Sequence, residues 1–381
     1  MTALRRTLVR VGAMAHKEAL HIQRDPLTLY LALVLPMIML VLFGYGVSFD
    51  LDHYPLAVDD RDHTPESRAL IDDLTAAGEL RLLGAADADD AAQLFAAGAA
   101  EGILTIPAGY AATLARGETA TVGLLLDAAD AQTTQAVLAR TEAMAQVATA
   151  KVTAARMPGL SGLSGGLPLS ARLSTRYNPA GRSALFLVPG LTAYVLALVA
   201  VLLTSLSVAR EWERGSMEQL FSTPVGRFEI LAGKVLPYLA IGVVQVMMVL
   251  TAGAWVFDVP ARGDLSALAL ASVLFLVGML GQGLLISVVT RNQMVATQAA
   301  TMSSMLPTML LSGFLFPIAN MPTLLQWVSA LVPSRYYIRV LRGVLLKGNG
   351  FAELWPDLLA LTAFAALMFI ASTARFPRRL A

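Results

Sequence analysis

Residues 27–47 carry no charged side chain over 21 positions, and this run constrains the fold more than any other stretch. At 1.5 Å per residue a helix of that length crosses the ~30 Å of hydrocarbon in a bilayer. The run therefore reads as a membrane span, with Pro36 expected to kink it. Further apolar runs occupy residues 183–208, 230–257, 265–290 and 295–316, with a last one near 358–374. Composition agrees: of 381 residues 56% are apolar and only 14% charged, whereas soluble domains carry about 25% charged residues. The expected class is an α-helical polytopic membrane protein with six transmembrane helices.

Between the second and third spans lies a dense polar island. Residues 210–229 hold seven charges, each costing ~2.5–3.5 kcal/mol at a bilayer centre, so the island is an aqueous loop. Residues 210–221 are helix-compatible, and Pro224 blocks continuation because it lacks an N–H. Periodicity alone allows either a short helix that docks a partner or a solvated loop. Residues 1–25 place Leu4, Leu8, Val11, Ala15, Ala19 and Ile22 on one face of a helix, with Arg5, Arg6, Arg10, Lys17 and Arg24 over much of the remainder. A basic amphipathic helix of this kind lies in the headgroup region, and Asp25-Pro26 starts the first span (residues 26–49).

The island reads Glu211-Trp-Glu-Arg-Gly-Ser-Met-Glu-Gln-Leu220, then Ser222-Thr-Pro-Val225 and Gly233-Lys234. This pattern resembles the ABC-2 family of ATP-binding-cassette transporter permeases. The likeness extends to Lys17-Glu18…Arg24-Asp25-Pro26 and to Val332-Pro-Ser-Arg-Tyr-Tyr337…Val340-Leu-Arg-Gly-Val-Leu-Leu-Lys-Gly348. It implies that residues 1–25 are an elbow helix and that the loop 209–230 couples to a cytosolic ATPase. The coupling residues would be Arg210, Glu211, Glu213, Gly215, Met217, Glu218, Leu220 and Phe221. In that role Gly215 would permit close backbone approach, while Met217, Leu220 and Phe221 would supply an apolar anchor.

Residues 50–182 differ in character. Strand-like runs at 54–58, 80–83, 102–106 and 122–126 alternate with helical patterns at 65–77, 88–97 and 107–116, as in a small α/β domain. A long helix at 129–156, a Gly-rich hinge at 158–168 and a strand at 171–177 complete it. Basic residues at both chain ends put the termini in the cytoplasm. Six spans agree with that, and they make the α/β insertion extracytoplasmic. Residues 183–381 form a five-span domain whose segment 317–356 should be external and re-entrant. Its Arg335, Arg339 and Arg342 depart from the positive-inside pattern and could meet outer-leaflet phosphates.

Several chemistries are disfavoured. The chain has no cysteine, which removes disulfides and thiolate metal sites. Its four histidines are scattered; His53 and His63 read as surface residues rather than ligands. Asp59-Asp60-Arg61-Asp62 reads as a solvated turn before it reads as a cation site. Gly226…Gly233-Lys234 has six residues between its glycines and Val235 where a phosphate-binding loop needs Ser or Thr. No cofactor is expected on this chain, ATP and Mg²⁺ being left to a partner ATPase. With no ionisable group deep in the spans, proton coupling is disfavoured; Lys234 is expected to snorkel from a span end. Gly278-Met-Leu-Gly281-Gln-Gly283 suits close helix packing. Gln282, Ser303, Ser304, Thr308 and Ser312 make either a translocation path or interhelical hydrogen bonds.

The leading expectation is the permease subunit of a bacterial inner-membrane exporter for hydrophobic or amphiphilic substrates. The resemblance implies a cytosolic ATPase as two copies or one fused pair, and a second permease copy or related permease. For the drug-exporting subset it adds a periplasmic adaptor. Membrane lipid is the remaining partner, and nucleic acid is none. An ATPase-independent membrane scaffold or receptor is the alternative; an intramembrane enzyme lacks any acid, base or metal cluster.

Overall fold

The computed structural model describes residues 3–46, 54–75, 80–84, 88–97, 99–126, 182–216 and 225–376, with isolated positions between 137 and 146. The chain divides into two compact units, residues 49–182 and residues 1–48 with 183–381. Helix α1 (Ala3–Gln23) opens the second of these, and α2 (Pro26–Gly46) follows as the first apolar span. The disruption expected at Pro36 takes the form of a π-helical stretch at Tyr30–Val34, one turn upstream. A wider turn there relieves the clash of a proline ring with the preceding turn.

The inserted unit is a four-stranded sheet of order β2-β1-β3-β4. Strand β1 (Tyr54–Asp60) runs parallel to β2 (Leu80–Gly84) and β3 (Gly102–Ile106), and β4 (Gly123–Leu126) is antiparallel to β3. Helices α3 (Pro65–Thr75), α4 (Ala88–Ala96) and α5 (Tyr110–Arg116) connect the strands. Alternate residues of β1 enter two cores, because successive side chains point to opposite faces. Leu56 packs with Leu74 and Leu104, while Ala57 packs with Ala91 and Ile103. Covering both faces suits parallel strands.

The acidic turn after β1 is consumed internally. The Asp60 carboxylate accepts hydrogen bonds from the Asp62 and His63 amides and from Ser67 Oγ at 2.6 Å. Asp62 accepts from the amides of Gly109 at 2.7 Å and Ala111 at 3.0 Å, satisfying the start of α5. Among the described residues no cluster of His, Asp or Glu is arranged to hold a metal. His53, the helix expected at 129–156 beyond a few positions, the hinge at 158–168 and the strand at 171–177 lie outside the described residues.

The membrane unit continues with α6 (Ser183–Glu213), α7 (Arg227–Phe257), α8 (Leu265–Thr290) and α9 (Gln293–Leu311). Two short helices, α10 (Thr323–Ser329) and α11 (Pro333–Arg342), precede the last, α12 (Phe351–Arg375). Five helices among the described residues, α2, α6, α7, α8 and α12, are long and apolar enough to cross a membrane. Helix α9 is more polar and stops before the expected Phe316, since Gly313 turns left-handed at φ 81°. Helix α12 starts inside the segment expected to be re-entrant; Gly350 and Glu353 cap it.

Helix α6 is the axis of this unit, with 83% of its apolar stretch buried against 17% for α2 and 28% for α12. It meets α8 closely because Gly283 has no side chain: a Cβ there would lie 2.1 Å from Thr204 Oγ1. Thr204 Oγ1 is also 3.0 Å from Leu280 O, joining the two helices through a polar contact inside the bundle. Gly278 and Gly281 face Phe364 and Met368 of α12. The expected close-packing role of this glycine group thus divides between two partner helices.

Candidate functional site

The polar loop between α6 and α7 stands on a lattice of ion pairs that ties four helices together. Helix α1 crosses α7 at Gly233, where a Cβ would lie 2.4 Å from Met14 Cβ and 3.1 Å from Val11 O. Only glycine allows that approach. One residue on, Lys234 is fully buried, with its Nζ 3.3 Å from Glu18 Oε2 of α1 and 3.0 Å from Glu211 Oε2 of α6. Lys17 Nζ reaches the other Glu211 oxygen at 3.3 Å, and the Tyr238 hydroxyl donates to Glu18 Oε1 at 3.2 Å. The expected snorkelling of Lys234 does not occur. Two carboxylates offered by neighbouring helices hold its charge inside.

The lattice extends on both sides. Arg210 donates to Asp25 Oδ2 at 3.0 Å, and Asp25 also caps α2 through the amides of Leu27 and Thr28. Burial raises the Asp25 pKa, but hydrogen bonds from Arg210 and Thr28 outweigh that and hold it below the ordinary value. Glu229 closes the first turn of α7 on the Gly226 amide at 2.8 Å and pairs with Arg10 at 3.4 Å. The Glu213 carboxylate accepts from the Gln293 amide at 2.7 Å and from its side chain, fastening α6 to α9. Beside it the Arg291 guanidinium lies 4.5 Å from the Trp212 ring centroid. A cavity of about 290 Å³ sits within the lattice, lined in part by Lys17, Glu18, Asp25, Arg210 and Glu211. These charges are matched by counter-charges and donors, an arrangement that fixes geometry rather than turning over a substrate.

Of the expected coupling residues, Arg210, Glu211 and Glu213 continue α6 and are committed to this base. One helix over 210–221 does not form: α6 ends at Glu213, and Gly215 turns left-handed at φ 69°. A Cβ at Gly215 would meet nothing within 4 Å in this chain, so within it the glycine serves the turn. Met217, Glu218, Leu220 and Phe221 lie outside the described residues. Helix α1 also packs otherwise than its apolar face suggests. Met14, Glu18 and Ile22 are buried, whereas Leu8 is 63% exposed.

The polar residues proposed for a path separate into groups. Gln282 Nε2 donates to Ser303 Oγ at 3.1 Å, and Thr308 Oγ1 lies 2.7 Å from Ser334 Oγ of α11. These four share a cavity of about 280 Å³. Ser304 instead bonds back to Ala300 O at 2.7 Å, and Ser312 donates to Thr308 O. The three arginines of α11 turn inward or to an acid. Arg335 donates to Gln326 O and Ser329 Oγ, each at 3.2 Å, and Arg339 pairs with the buried Asp357 at 2.9 Å. Arg342 donates to Gly313 O at 3.0 Å and lies 4.1 Å from the Phe186 ring centroid. Sequence reasoning missed Glu18 as a site residue. Its signal was a carboxylate in register with Met14 and Ile22, four residues from each.

The family described as "ABC-2 family transporter protein" matches residues 26–374. The chain belongs to the ABC-2 transporter family. Over 379 residues it is 34% identical to the Escherichia coli K12 protein named "Probable multidrug ABC transporter permease YbhS", covering 96% of this chain and 95% of the relative. It is 26% identical to "Probable multidrug ABC transporter permease YbhR" of the same organism, over 97% and 99%. A shorter match, 27% identical over 211 residues and 55% of this chain, joins it to "Inner membrane transport permease YhhJ" from that organism, 56% of which is covered. The chain is thus the permease subunit of an ABC exporter, a multi-pass transport protein rather than an enzyme. The ion-pair lattice is a feature of this ABC-2 permease.

Proposed function

We propose that this permease moves a hydrophobic or amphiphilic substrate, drug or lipid-like, out of the cytoplasm or inner leaflet, driven by ATP hydrolysis on a partner subunit. In this reading α9 also crosses the membrane as the fifth of six spans, both termini are cytoplasmic, and the α/β unit is extracytoplasmic, where an adaptor protein docks. Helix α1 is the interfacial elbow, and the exposure of Leu8 beside Arg5 and Arg6 supports that role. ATP and Mg²⁺ bind the ATPase, which grips the loop at residues 209–230 on two permease copies. The relatives named as multidrug permeases support the substrate class.

The observation that carries the coupling role is the buried Glu18–Lys234–Glu211 group. It supports the transmission of force, because a push on the loop cannot move α6 without moving α7 and α1. Two measurements test the reading. In this cysteine-free chain, Ala69→Cys, at an exposed position of α3, should label from outside intact cells and Ser216→Cys should not; the reverse pattern overturns the orientation. Glu213→Ala with Leu220→Asp should leave the permease inserted yet release the ATPase on co-purification, since losing an interface anchor costs over ~2 kcal/mol. Retained capture and retained substrate-stimulated ATP hydrolysis would mean that this loop is not the coupling surface.

A further inference from the structure

Beside Glu229, at the edge of the coupling lattice, a cavity of about 880 Å³ opens between the start of α7, the end of α12 and Thr7 of α1. Its floor is apolar. Phe228 meets Phe369 edge-on at 5.5 Å between centroids, and Ile370 beside it is 67% exposed. Its rim holds Arg227, whose Nε is buried without a hydrogen-bond partner among the described residues. The nearest acid on α7, Glu229, is committed to the Gly226 amide and Arg10.

Arg227 is also the first residue of α7, where the helix dipole disfavours a cation. Among the described residues its Nε thus finds no acceptor, and the helix end calls for an anion beside it. Arg6, next to Thr7, and Arg375, next to the lining residue Phe376, are exposed. An apolar slot beneath a cationic rim, at the end of two membrane-crossing helices, is where headgroup phosphates meet hydrocarbon.

We propose that this cavity binds an anionic phospholipid, its phosphate on Arg227 and an acyl chain along Phe228, Phe369 and Ile370. The site rests on the reading that α7 and α12 cross the bilayer; Arg227 also falls within the loop 209–230 assigned to the ATPase, so the test separates lipid retention from ATPase capture. Charge complementarity selects this occupant over a neutral lipid, and the apolar floor selects it over free phosphate.

The test uses the full-length permease, reconstituted in nanodiscs of phosphatidylcholine or of equal parts phosphatidylcholine and phosphatidylglycerol, then extracted and assayed for retained lipid. The wild-type chain should retain phosphatidylglycerol and melt higher in its presence, and millimolar inorganic phosphate should give no shift. Arg227→Gln should retain about fivefold less, as expected for losing one cation near the headgroups. Arg227→Lys should retain most of it, and Arg375→Gln should behave as wild type. Equal retention by wild type and Arg227→Gln overturns the site. Equal losses in Arg227→Gln and Arg375→Gln would reduce it to general surface attraction, which also overturns it. A variant that loses ATPase capture while keeping the lipid would reassign Arg227 to a protein partner and refute the proposal.

Discussion

Replacing Lys234 by Met keeps the length and apolar stem of the side chain and removes only its charge. In the folded protein Nζ lies between Glu18 Oε2 at 3.3 Å and Glu211 Oε2 at 3.0 Å, in a position with no solvent exposure. Without it, Glu18 keeps one hydroxyl donor, Tyr238, and Glu211 keeps Lys17 at 3.3 Å. Stranding a buried charge typically costs about 3–5 kcal/mol. Adding Glu18→Gln removes the more deeply buried of the two carboxylates, so the double variant should recover about 2 kcal/mol of that loss. Denaturant unfolding of purified protein, followed by tryptophan fluorescence, reports the difference; Trp212 sits beside the lattice on Arg291. A lysine reaching solvent would instead cost no more than about 0.5 kcal/mol. If Lys234→Met unfolds that close to wild type, or if the two substitutions simply add, the buried lattice is not what holds α1 to α6 and α7.

Gly233→Leu should pry α1 from α7, costing about 1–3 kcal/mol and exposing Lys17 to trypsin, whereas Gly12→Leu, where a Cβ meets nothing within 4 Å, should change neither readout. Asp25 has a lowered carboxyl pKa, so its stabilisation is complete above the ordinary value and fades as pH falls through the lower folded one; Asp25→Asn should flatten that acid limb of a stability–pH curve, and an unchanged limb would remove Asp25 as its source. Thr308→Val strands Ser334 Oγ between α9 and α11 and should cost about 0.6–1 kcal/mol; Ser334→Ala on top should restore most of it, as thermal melting would show.

Local pattern announced much of this architecture. The spans follow from charge-free runs, and the inserted unit from strand-sized apolar segments alternating with helical ones, because both signals lie within a dozen or so neighbouring residues. The site was less readable, since its contacts join residues some two hundred positions apart, as in Lys17–Glu211 and Lys234–Glu18. Lys234 looked like a span-end cation free to reach water; that α1 would cover it is a tertiary fact. Gly215 shows the converse difficulty. A glycine in a motif fits a close approach, a left-handed turn or both, and only the backbone angle reveals the turn. The arginines of α11 misled for a third reason. Hydropathy counts a cation as solvent-seeking, whereas Arg342 reaches the Gly313 and Phe314 carbonyls just past α9.

The separation between Glu18 and Lys234 bears on how the protein is made. The lysine that neutralises Glu18 is encoded 216 residues later, and synthesis at ~5–20 residues per second leaves on the order of ten to forty seconds between them. During that interval α1 has left the ribosome while its seat on α7 does not yet exist. Its arginines and its exposed Leu8 can hold it against the lipid headgroups meanwhile. Helix α1 is therefore made well before α7 yet locked only once α7 exists. A chain truncated before α7 should insert its leading span with α1 still undocked, an early checkpoint that a membrane-protein quality-control protease could read.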